Sequence, residues 1–225
     1  MAEQIFHKSA FLSRKQIADG VWEFRFEKPA GFEHKAGQFV QFQIPAADDF
    51  VLRSYSISSP PAADWLEFCI KLVPGGKASE YLARLNDVDK LNISGPRGLF
   101  VCRDVSAPRY FVATGTGIAP LMAMIEDESG GGEINLLFGV RHEKDLFWVD
   151  RFESARLKNP KFNFQITLSQ GSDAWAGLRG RVTEHLKVDP AGQYYLCGKM
   201  EMVKDVRNIL LEAGVNTKSI HFEIF

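Results

Sequence analysis

The chain has 225 residues, a formal net charge of −1 and an apolar fraction of 45%. This length suits one large domain or two domains of about 100 residues each, and the apolar fraction is sufficient for hydrophobic cores. Basic and acidic residues are balanced and mixed along the chain. The composition therefore argues against a general nucleic-acid binder or a polybasic membrane binder, since either would carry a basic excess to neutralise phosphate groups.

Neither a targeting signal nor a membrane span is expected. The first sixteen residues carry three basic side chains among the apolar ones, unlike a signal peptide: Lys8, Arg14 and Lys15. No apolar run reaches the roughly 18 residues that a membrane-spanning helix needs. The cysteines are odd in number and far apart, which favours a reducing compartment: Cys69, Cys102 and Cys197. We therefore expect a cytoplasmic protein without disulfides.

Up to about Asp104 the sequence is typical of short β-strands. Apolar and polar residues alternate over residues 21–26 and 39–44 and partly over 65–72, so that one face of each strand is buried and the other is in solvent. Turn signals separate these segments: Asp19-Gly20, Pro29-Ala30-Gly31 and Pro60-Pro61. One segment of this half, residues 78–85, has a helical pattern. The alternation predicts an antiparallel barrel, because closing a sheet removes its exposed edges.

After Arg109 short apolar runs alternate with amphipathic segments. The predicted strands are residues 110–113, 134–138, 164–168 and 194–196, and the predicted helices are residues 120–128, 149–158 and 200–213. Strands that alternate with helices indicate a parallel sheet with helices on both faces. The change of pattern near residues 104–108 predicts two domains, 1–105 and 106–225.

Four short motifs occur in order along these two halves. They are Arg53-Ser54-Tyr55-Ser56, Gly76-Lys77-Ala78-Ser79, Thr114-Gly115-Thr116-Gly117-Ile118-Ala119-Pro120 and Cys197-Gly198-Lys199-Met200-Glu201-Met202. Glycines at the start of a helix let a phosphate-bearing ligand approach the backbone, where free amides favour its negative charge. The third motif is not the Rossmann fingerprint, because Pro120 occupies the place of the third glycine.

In this order the motifs resemble those of the ferredoxin–NADP reductase superfamily, flavoproteins that pass electrons between a nicotinamide and a one-electron carrier. The resemblance runs from about residue 5 to Phe225 and so covers nearly the whole chain. It implies an N-terminal antiparallel Greek-key β-barrel that binds FAD. A Rossmann-like, doubly wound parallel-sheet domain that binds NAD(P) would follow.

For FAD, the resemblance implies that Arg53 holds the pyrophosphate, that Tyr55 stacks on the ring or ribityl chain, and that Ser56 hydrogen-bonds the flavin N5 edge. The other implied FAD contacts are Ser54, Ile70, Lys71, Leu72, Gly76, Lys77, Ala78 and Ser79. The turn from Gly76 to Ser79 favours FAD over FMN, because FMN has no pyrophosphate. Alternatively, Arg53 forms a surface ion pair and Ser79 is only a helix N-cap.

For the coenzyme, the resemblance implies that the backbone at Thr114, Gly115, Thr116 and Gly117 approaches the dinucleotide. It places Cys197 and the carboxylate of Glu223 near the nicotinamide, and Phe225 over the flavin face. Further implied contacts are Arg141, Gly198 and Met202. The predicted catalytic residues are Ser56, Cys197 and Glu223. Alternatively, Cys197 is a core residue, and Glu223 and Phe225 belong to a C-terminal edge strand.

The resemblance therefore implies an FAD-dependent NAD(P)H oxidoreductase that acts as a monomer with a ferredoxin- or flavodoxin-like carrier or an oxygenase component. A free-flavin reductase and a non-enzymatic electron-transfer subunit are alternatives that fold alone does not separate. No metal site is expected, since no cysteine or histidine pair has ligand spacing. Gln170 follows Ser169 where NADPH enzymes of the family commonly have an arginine, which favours NADH unless another arginine replaces it: Arg141, Arg179 or Arg181.

Overall fold

Two units with different strand arrangements make up the chain in a computed structural model, which describes residues 5–46, 49–102, 106–127 and 132–225. Contacts between Cα atoms assign Met1–Val101 and Met122–Asp127 to the first unit, and Cys102–Leu121 and Glu128–Phe225 to the second. The predicted domain boundary after residue 105 falls at residues 103–105, which lie outside the described ranges.

The first unit is a six-stranded antiparallel sheet. Its strands are β1 (Phe6–Ala18), β2 (Val21–Glu27), β3 (Phe39–Pro45), β4 (Phe50–Ser56), β5 (Trp65–Lys71) and β6 (Lys90–Ser94), in the order β4-β3-β6-β1-β2-β5. The two ends of this sheet meet, because Ile57 directly after β4 forms an antiparallel bridge with Phe68 of β5. The predicted antiparallel barrel is confirmed.

Aromatic side chains fill the interior of this barrel. Phe26, Phe42 and Phe68 are completely buried, and their rings meet edge to face, with centroids 5.4 Å apart for Phe26 and Phe42 and 4.8 Å apart for Phe42 and Phe68. The helix α1 (Lys77–Ala83) buries Ala78 and Leu82 in the same cluster. Burial of each large apolar side chain contributes about 1.5–3 kcal/mol, so these alternating positions decide the register of the strands.

The second unit is a six-stranded parallel sheet. Its strands are β7 (Arg109–Thr114), β8 (Ile134–Val140), β9 (Phe162–Leu168), β10 (Leu178–Arg179), β11 (Gln193–Gly198) and β12 (Ile220–Ile224), in the order β10-β9-β8-β7-β11-β12. Its helices are α2 (Ile118–Glu126), α3 (Val149–Lys158) and α4 (Met200–Glu212). The predicted parallel sheet is confirmed.

Helices α3 and α4 cover opposite faces of this sheet. Leu137 belongs to the apolar cluster that contains Val203 of α4, whereas the next residue, Phe138, meets the ring of Phe152 of α3 at 5.8 Å. Consecutive strand residues point to opposite faces, so the two helices lie on different sides. Because helices cover both faces of the sheet, its central strands need apolar residues on both sides, and they therefore appear in the sequence as apolar runs.

The strand order creates a switch point between β7 and β11. From β7 the chain adds β8, β9 and β10 on one side, and then it returns to add β11 and β12 on the other side. In open α/β sheets, ligands bind outside the carboxyl ends of the strands at such a switch point. The third and fourth motifs begin at these two strand ends.

Candidate functional site

In the first unit, the motif from Arg53 to Ser56 forms the second half of β4. Arg53 and Ser54 are exposed, Tyr55 is half-buried and Ser56 is buried. The ring of Tyr55 packs against Phe42 with centroids 4.8 Å apart. Burial raises the pKa of the Tyr55 phenol, and the positive charge of Arg53 acts in the opposite direction. An exposed cation therefore lies beside a half-buried aromatic ring, which fits a ligand with both an anionic group and a flat ring.

The turn before α1 is held in one conformation by its own residues. The Val73 amide donates a hydrogen bond to Ser79 Oγ at 2.8 Å, and the Gly76 amide donates to the Val73 carbonyl at 3.0 Å. A Cβ atom on Gly76 would lie 3.1 Å from the Val73 oxygen and 3.2 Å from Ser79 Oγ, so a larger residue would open the turn. The N-cap position belongs to Gly76 rather than Ser79.

The Ser79 oxygen accepts a hydrogen bond from the Val73 amide. This bond does not use the proton of the Ser79 hydroxyl, so the hydroxyl can still donate a hydrogen bond to a ligand. The first amides of α1 lack acceptors within the helix, as at any helix start. In the preceding strand end, the Ile70 side chain is buried in the barrel core, Lys71 is exposed and Leu72 is half-buried. Ile70 therefore presents its backbone rather than its side chain to a ligand outside the core.

In the second unit, glycines let the turn after β7 and the end of β11 lie in close contact. A Cβ atom on Gly117 would lie 2.6 Å from the carbonyl carbon of Cys197 and closer still to its oxygen. A Cβ atom on Gly198 would clash with Thr114 Oγ1 and would lie 2.9 Å from Met202 Cε. Both positions therefore require glycine, and the two motifs form one continuous surface at the switch point.

Thr114 presents an unsatisfied polar atom at this surface. Its Oγ1 is buried and has no hydrogen-bond partner within the described part of the chain. A buried hydroxyl without a partner costs about 1–3 kcal/mol. A polar ligand at the carboxyl ends of β7 and β11 would supply that partner, and nothing lies within 4 Å of a Cβ atom added to Gly115, so a dinucleotide has room to approach the backbone there.

Cys197 has no exposed surface and pairs in register with Glu223 of the neighbouring strand β12. Burial raises the pKa of the Cys197 thiol well above its ordinary value, the negative charge of Glu223 raises it further, and a hydrogen bond with the Gly198 backbone acts in the opposite direction. The thiol therefore stays protonated at neutral pH. Cys197 can shape the site or share a hydrogen, but it is not a thiolate nucleophile.

The C-terminus reaches the same surface. The Phe225 amide donates a hydrogen bond to the Gly198 carbonyl at 3.2 Å, while 56% of the Phe225 side chain is exposed. Glu223 is half-buried. β12 is indeed the edge strand of the sheet. Nine of the predicted coenzyme residues therefore lie together at the switch point: Thr114, Gly115, Thr116, Gly117, Cys197, Gly198, Met202, Glu223 and Phe225.

Arg141 lies one strand away, directly after β8, and it is exposed. Its carbonyl accepts a hydrogen bond from the Gln170 amide at 2.9 Å, which places the loop after β9 beside it. Arg179 was a candidate for the same region. Its guanidinium instead donates to backbone carbonyls of this loop, with distances of 2.8 to 3.3 Å, at residues Gly171, Ser172, Asp173 and Trp175.

Sequence reasoning missed this use of Arg179, together with the carboxylate of Glu143, which accepts hydrogen bonds from the Ser172 amide at 2.8 Å and the Ser172 hydroxyl at 2.6 Å. These donors lower the pKa of Glu143. No sequence pattern signals the Glu143 contact, since its partner Ser172 is 29 residues away.

None of the four motifs lies at the amino-terminal ends of the parallel strands. A cleft of about 450 Å³ lies at the amino-terminal ends of β7, β8 and β9, lined by Ser106, Pro108, Gly132, Glu133, Lys161 and Asn163. Ligands of parallel sheets bind at the other ends of the strands, so we do not assign this cleft a function. Within the described ranges, no cluster of three His, Cys, Asp or Glu residues could hold a metal ion, and no helix has the length and apolarity to cross a membrane.

Comparisons with known proteins match both units. The family model described as oxidoreductase FAD-binding domain matches residues 10–102, and the one described as oxidoreductase NAD-binding domain matches residues 111–208. The chain is 37% identical over 228 residues to ferredoxin–NADP reductase B of Sorangium cellulosum, covering 93% of each protein. It is 31% identical over 197 residues to the toluate 1,2-dioxygenase electron transfer component of Pseudomonas putida, covering 84% of this chain but 58% of that protein.

Solved structures have the same fold. A ferredoxin NADP+ reductase from Neisseria gonorrhoeae with bound FAD and NADP aligns with a TM-score of 0.84 and 24% identity over 98% of each chain. An Amycolatopsis cytochrome P450 reductase aligns with a TM-score of 0.87 and 24% identity, covering 99% of this chain and 71% of that one. Two family models and a relative of nearly equal length thus match this chain. The chain therefore belongs to the ferredoxin–NADP reductase superfamily and is an FAD-dependent NAD(P)H oxidoreductase.

Proposed function

We propose that the chain takes electrons from NADH and passes them to a separate carrier protein, a ferredoxin- or flavodoxin-like protein or an oxygenase component. The carrier class is supported by the names of the relatives, a ferredoxin–NADP reductase and a dioxygenase electron transfer component. The observation that carries the coenzyme part is the buried Thr114 hydroxyl without a partner at the switch point. We further propose that the enzyme is a monomer with an FAD-binding domain at 1–105 and an NAD(P)-binding domain at 106–225.

In this proposal the first unit binds and orients FAD. Arg53 contacts the pyrophosphate with its exposed guanidinium, and the first amides of α1 with the Ser79 hydroxyl donate further hydrogen bonds to it. Tyr55 offers the exposed part of its ring to the flavin or ribityl chain. When bound, FAD supplies the conversion between a two-electron hydride and single electrons.

The second unit binds the coenzyme in the same proposal. Thr114 Oγ1 hydrogen-bonds it, and Gly115, beside which nothing lies within 4 Å of an added Cβ, allows its close approach to the backbone. Gly117 and Gly198 hold the ends of β7 and β11 together beneath it. The Glu223 carboxylate lies near the nicotinamide, and Cys197, held as a buried thiol, shapes the nicotinamide site from beneath its surface. Ser56 of the first unit donates to the flavin N5 edge. These three residues orient reacting groups, and orientation is worth several kcal/mol of barrier.

Single alanine substitutions test these assignments. Changing Ser56, Cys197 or Glu223 should slow flavin reduction by NADH, followed by stopped-flow absorbance, while FAD stays bound. Should all three variants reduce within about twofold of the wild-type rate, a difference of under ~0.5 kcal/mol, the assignment of catalytic residues is wrong.

The preference for NADH is supported by how Arg179, one of the three candidate arginines, is used. A 2′-phosphate on the adenosine ribose needs cationic donors, and Arg179 already donates to the carbonyls of residues 171–175. Gln170, which stands where an arginine would help, carries no charge. We expect kcat/KM to favour NADH over NADPH, and a preference for NADPH above about tenfold, roughly 1.4 kcal/mol, would contradict this.

A panel of acceptors tests the carrier. The FAD-loaded chain and NADH are mixed with a ferredoxin, a flavodoxin, free FMN or an oxygenase component, and acceptor reduction is measured. The proposal expects kcat/KM for one of the protein acceptors to exceed that for free FMN. Faster turnover with free FMN than with every protein acceptor would instead identify a free-flavin reductase.

A further inference from the structure

A buried carboxylate lies beside the segment that follows Ser56. Glu67 belongs to β5, and its side chain is only 2% exposed. The flanking residues Leu66 and Phe68 belong to the barrel core, so Glu67 points to the outer face of the strand. A carboxylate is buried at acceptable cost only when cations and hydrogen-bond donors surround its oxygens.

One oxygen of this carboxylate is fixed by Arg25. Glu67 Oε2 accepts a hydrogen bond from Arg25 Nε at 3.1 Å and lies 3.0 Å from Arg25 Nη2. The same nitrogen lies 3.1 Å from Glu23 Oε1, and the guanidinium carbon is 5.1 Å from the centre of the Trp65 ring. Arg25 and Glu67 are also register partners in the ladder of β2 and β5. The guanidinium thus holds the carboxylate in one orientation.

The other oxygen is directed at the chain after Ser56. Glu67 Oε1 accepts a hydrogen bond from the Ser58 hydroxyl at 3.1 Å, and both residues are buried. The Ser58 amide donates to the Glu67 carbonyl at 2.8 Å, and the Glu67 amide donates to Ser59 Oγ at 3.1 Å. The two residues after Ile57 are therefore tied to Glu67 by backbone and side chain.

We propose that Glu67 is a positioning residue for flavin reduction, acting through Ser58 to fix the end of β4 and with it the Ser56 hydroxyl. This inference rests on the proposed function, in which Ser56 contacts the flavin. Ser56 is the last residue of the edge strand β4, where the chain turns across to β5. The charge-assisted hydrogen bond between Ser58 and Glu67, two residues after Ser56, restricts this turn more than the backbone hydrogen bonds alone do. A small displacement of an orienting hydroxyl raises the barrier to reaction.

A double-mutant cycle between Glu67 and Ser56 tests the inference. The limiting rate of flavin reduction at saturating NADH is measured for the FAD-loaded wild type, Glu67→Ala, Ser56→Ala and the double variant, with Tm as a parallel readout. If Glu67 acts through Ser56, Glu67→Ala slows reduction about tenfold in the wild-type background and less than about twofold in the Ser56→Ala background. The loss of Tm should be similar in both backgrounds.

Two further variants serve as controls. Glu23→Gln alters the same arginine without touching Ser58, and it should leave the reduction rate within about twofold of wild type. Ser58→Ala removes a single hydroxyl and should reproduce the rate effect of Glu67→Ala, which keeps the test open if Glu67→Ala does not fold.

Equal slowing by Glu67→Ala or Ser58→Ala in both backgrounds, or a fall in Tm with no change in rate, would overturn the inference. Both outcomes would leave the proposed function intact. A wild-type chain that binds FAD but is not reduced by NADH or NADPH would overturn the proposed function and this inference with it.

Discussion

Arg53 is the residue on which FAD retention should depend most clearly. Its exposed guanidinium lies beside the half-buried Tyr55 ring, so its removal takes away a charge without opening the core. A charge-assisted hydrogen bond contributes about 1.5–3 kcal/mol, and Arg53→Ala should therefore raise the Kd for FAD at least tenfold. Fluorescence titration of the apoprotein measures this. Arg97→Ala, which removes another exposed arginine of the same unit, should change the Kd less than twofold, and equal effects would contradict the assignment.

Cys197 gives the molecule a pH-dependent stability. Because burial raises the pKa of its thiol well above the ordinary value, the folded chain keeps a proton that the unfolded chain releases above about pH 8.5. Unfolding then releases a proton, so the free energy of unfolding falls as the pH rises beyond that value.

Urea denaturation at a series of pH values measures the effect. Between about pH 8 and pH 9.5 we expect Cys197→Ala to lose roughly 1 kcal/mol less stability than the wild type. Identical slopes for Cys197→Ala and wild type would show that the thiol does not differ in pKa between the folded and unfolded chains.

Among elements, the contact between the turn after β7 and the end of β11 depends on Gly117. A methyl group there would overlap the Cys197 backbone, which cannot move without disturbing β11. Gly117→Ala should cost about 1–3 kcal/mol of stability and weaken coenzyme binding. Gly95→Ala is a suitable control, since nothing lies within 4 Å of its added Cβ. Denaturation and NADH titration compare the two, and a Gly117 variant as stable as the Gly95 variant would contradict the close contact.

The residue that follows the last strand, β12, is an exposed aromatic one. Phe225 is 56% exposed and is held by its amide to Gly198 at the switch point. If its ring covers the flavin face, it competes with the nicotinamide for an offset stack worth about 0.5–1.5 kcal/mol. Deleting Phe225 should then tighten binding of oxidised coenzyme about twofold to tenfold and produce a charge-transfer band.

Titration of oxidised coenzyme into both chains, followed by visible absorbance, measures this change. As a control, Phe222→Ser removes an exposed ring from β12 itself, and it should not alter the titration. Unchanged spectra and affinities after deletion of Phe225 would place its ring away from the flavin.

For the whole molecule, sequence patterns predict the elements that have a regular buried face. Period-two alternation located β2, β3 and β5, and apolar runs located β7, β8, β9 and β11 to within a few residues. The strand β1 was missed, because Ser13, Arg14, Lys15 and Gln16 are all exposed and its register shifts between Phe11 and Ser13. β10 has two residues, which are too few to show a periodic pattern of apolar side chains.

The site was predictable to the extent that it resides in contiguous motifs. Gly117 follows β7 and Gly198 is the last residue of β11, and glycines at the ends of predicted strands can be recognised in a sequence. The role of Glu67 could not be predicted, because the folded sheet alone brings Arg25 beside it, and an isolated acidic residue in a strand is expected to face solvent. Arg179 is exposed as expected, but no sequence pattern indicates that its guanidinium holds the carbonyls of the preceding loop. The order of strands, which creates the switch point, likewise comes from tertiary packing rather than local pattern.

Anaerobic mixing of the FAD-loaded chain with NADH tests the central claim most directly. The flavin absorbance should bleach in the isolated chain without any partner protein, faster with NADH than with NADPH, and Gly117→Ala should slow the bleaching while FAD remains bound. A chain that retains FAD yet keeps its full visible absorbance with either coenzyme would contradict the account, because the switch point would then not serve a nicotinamide that reduces this flavin.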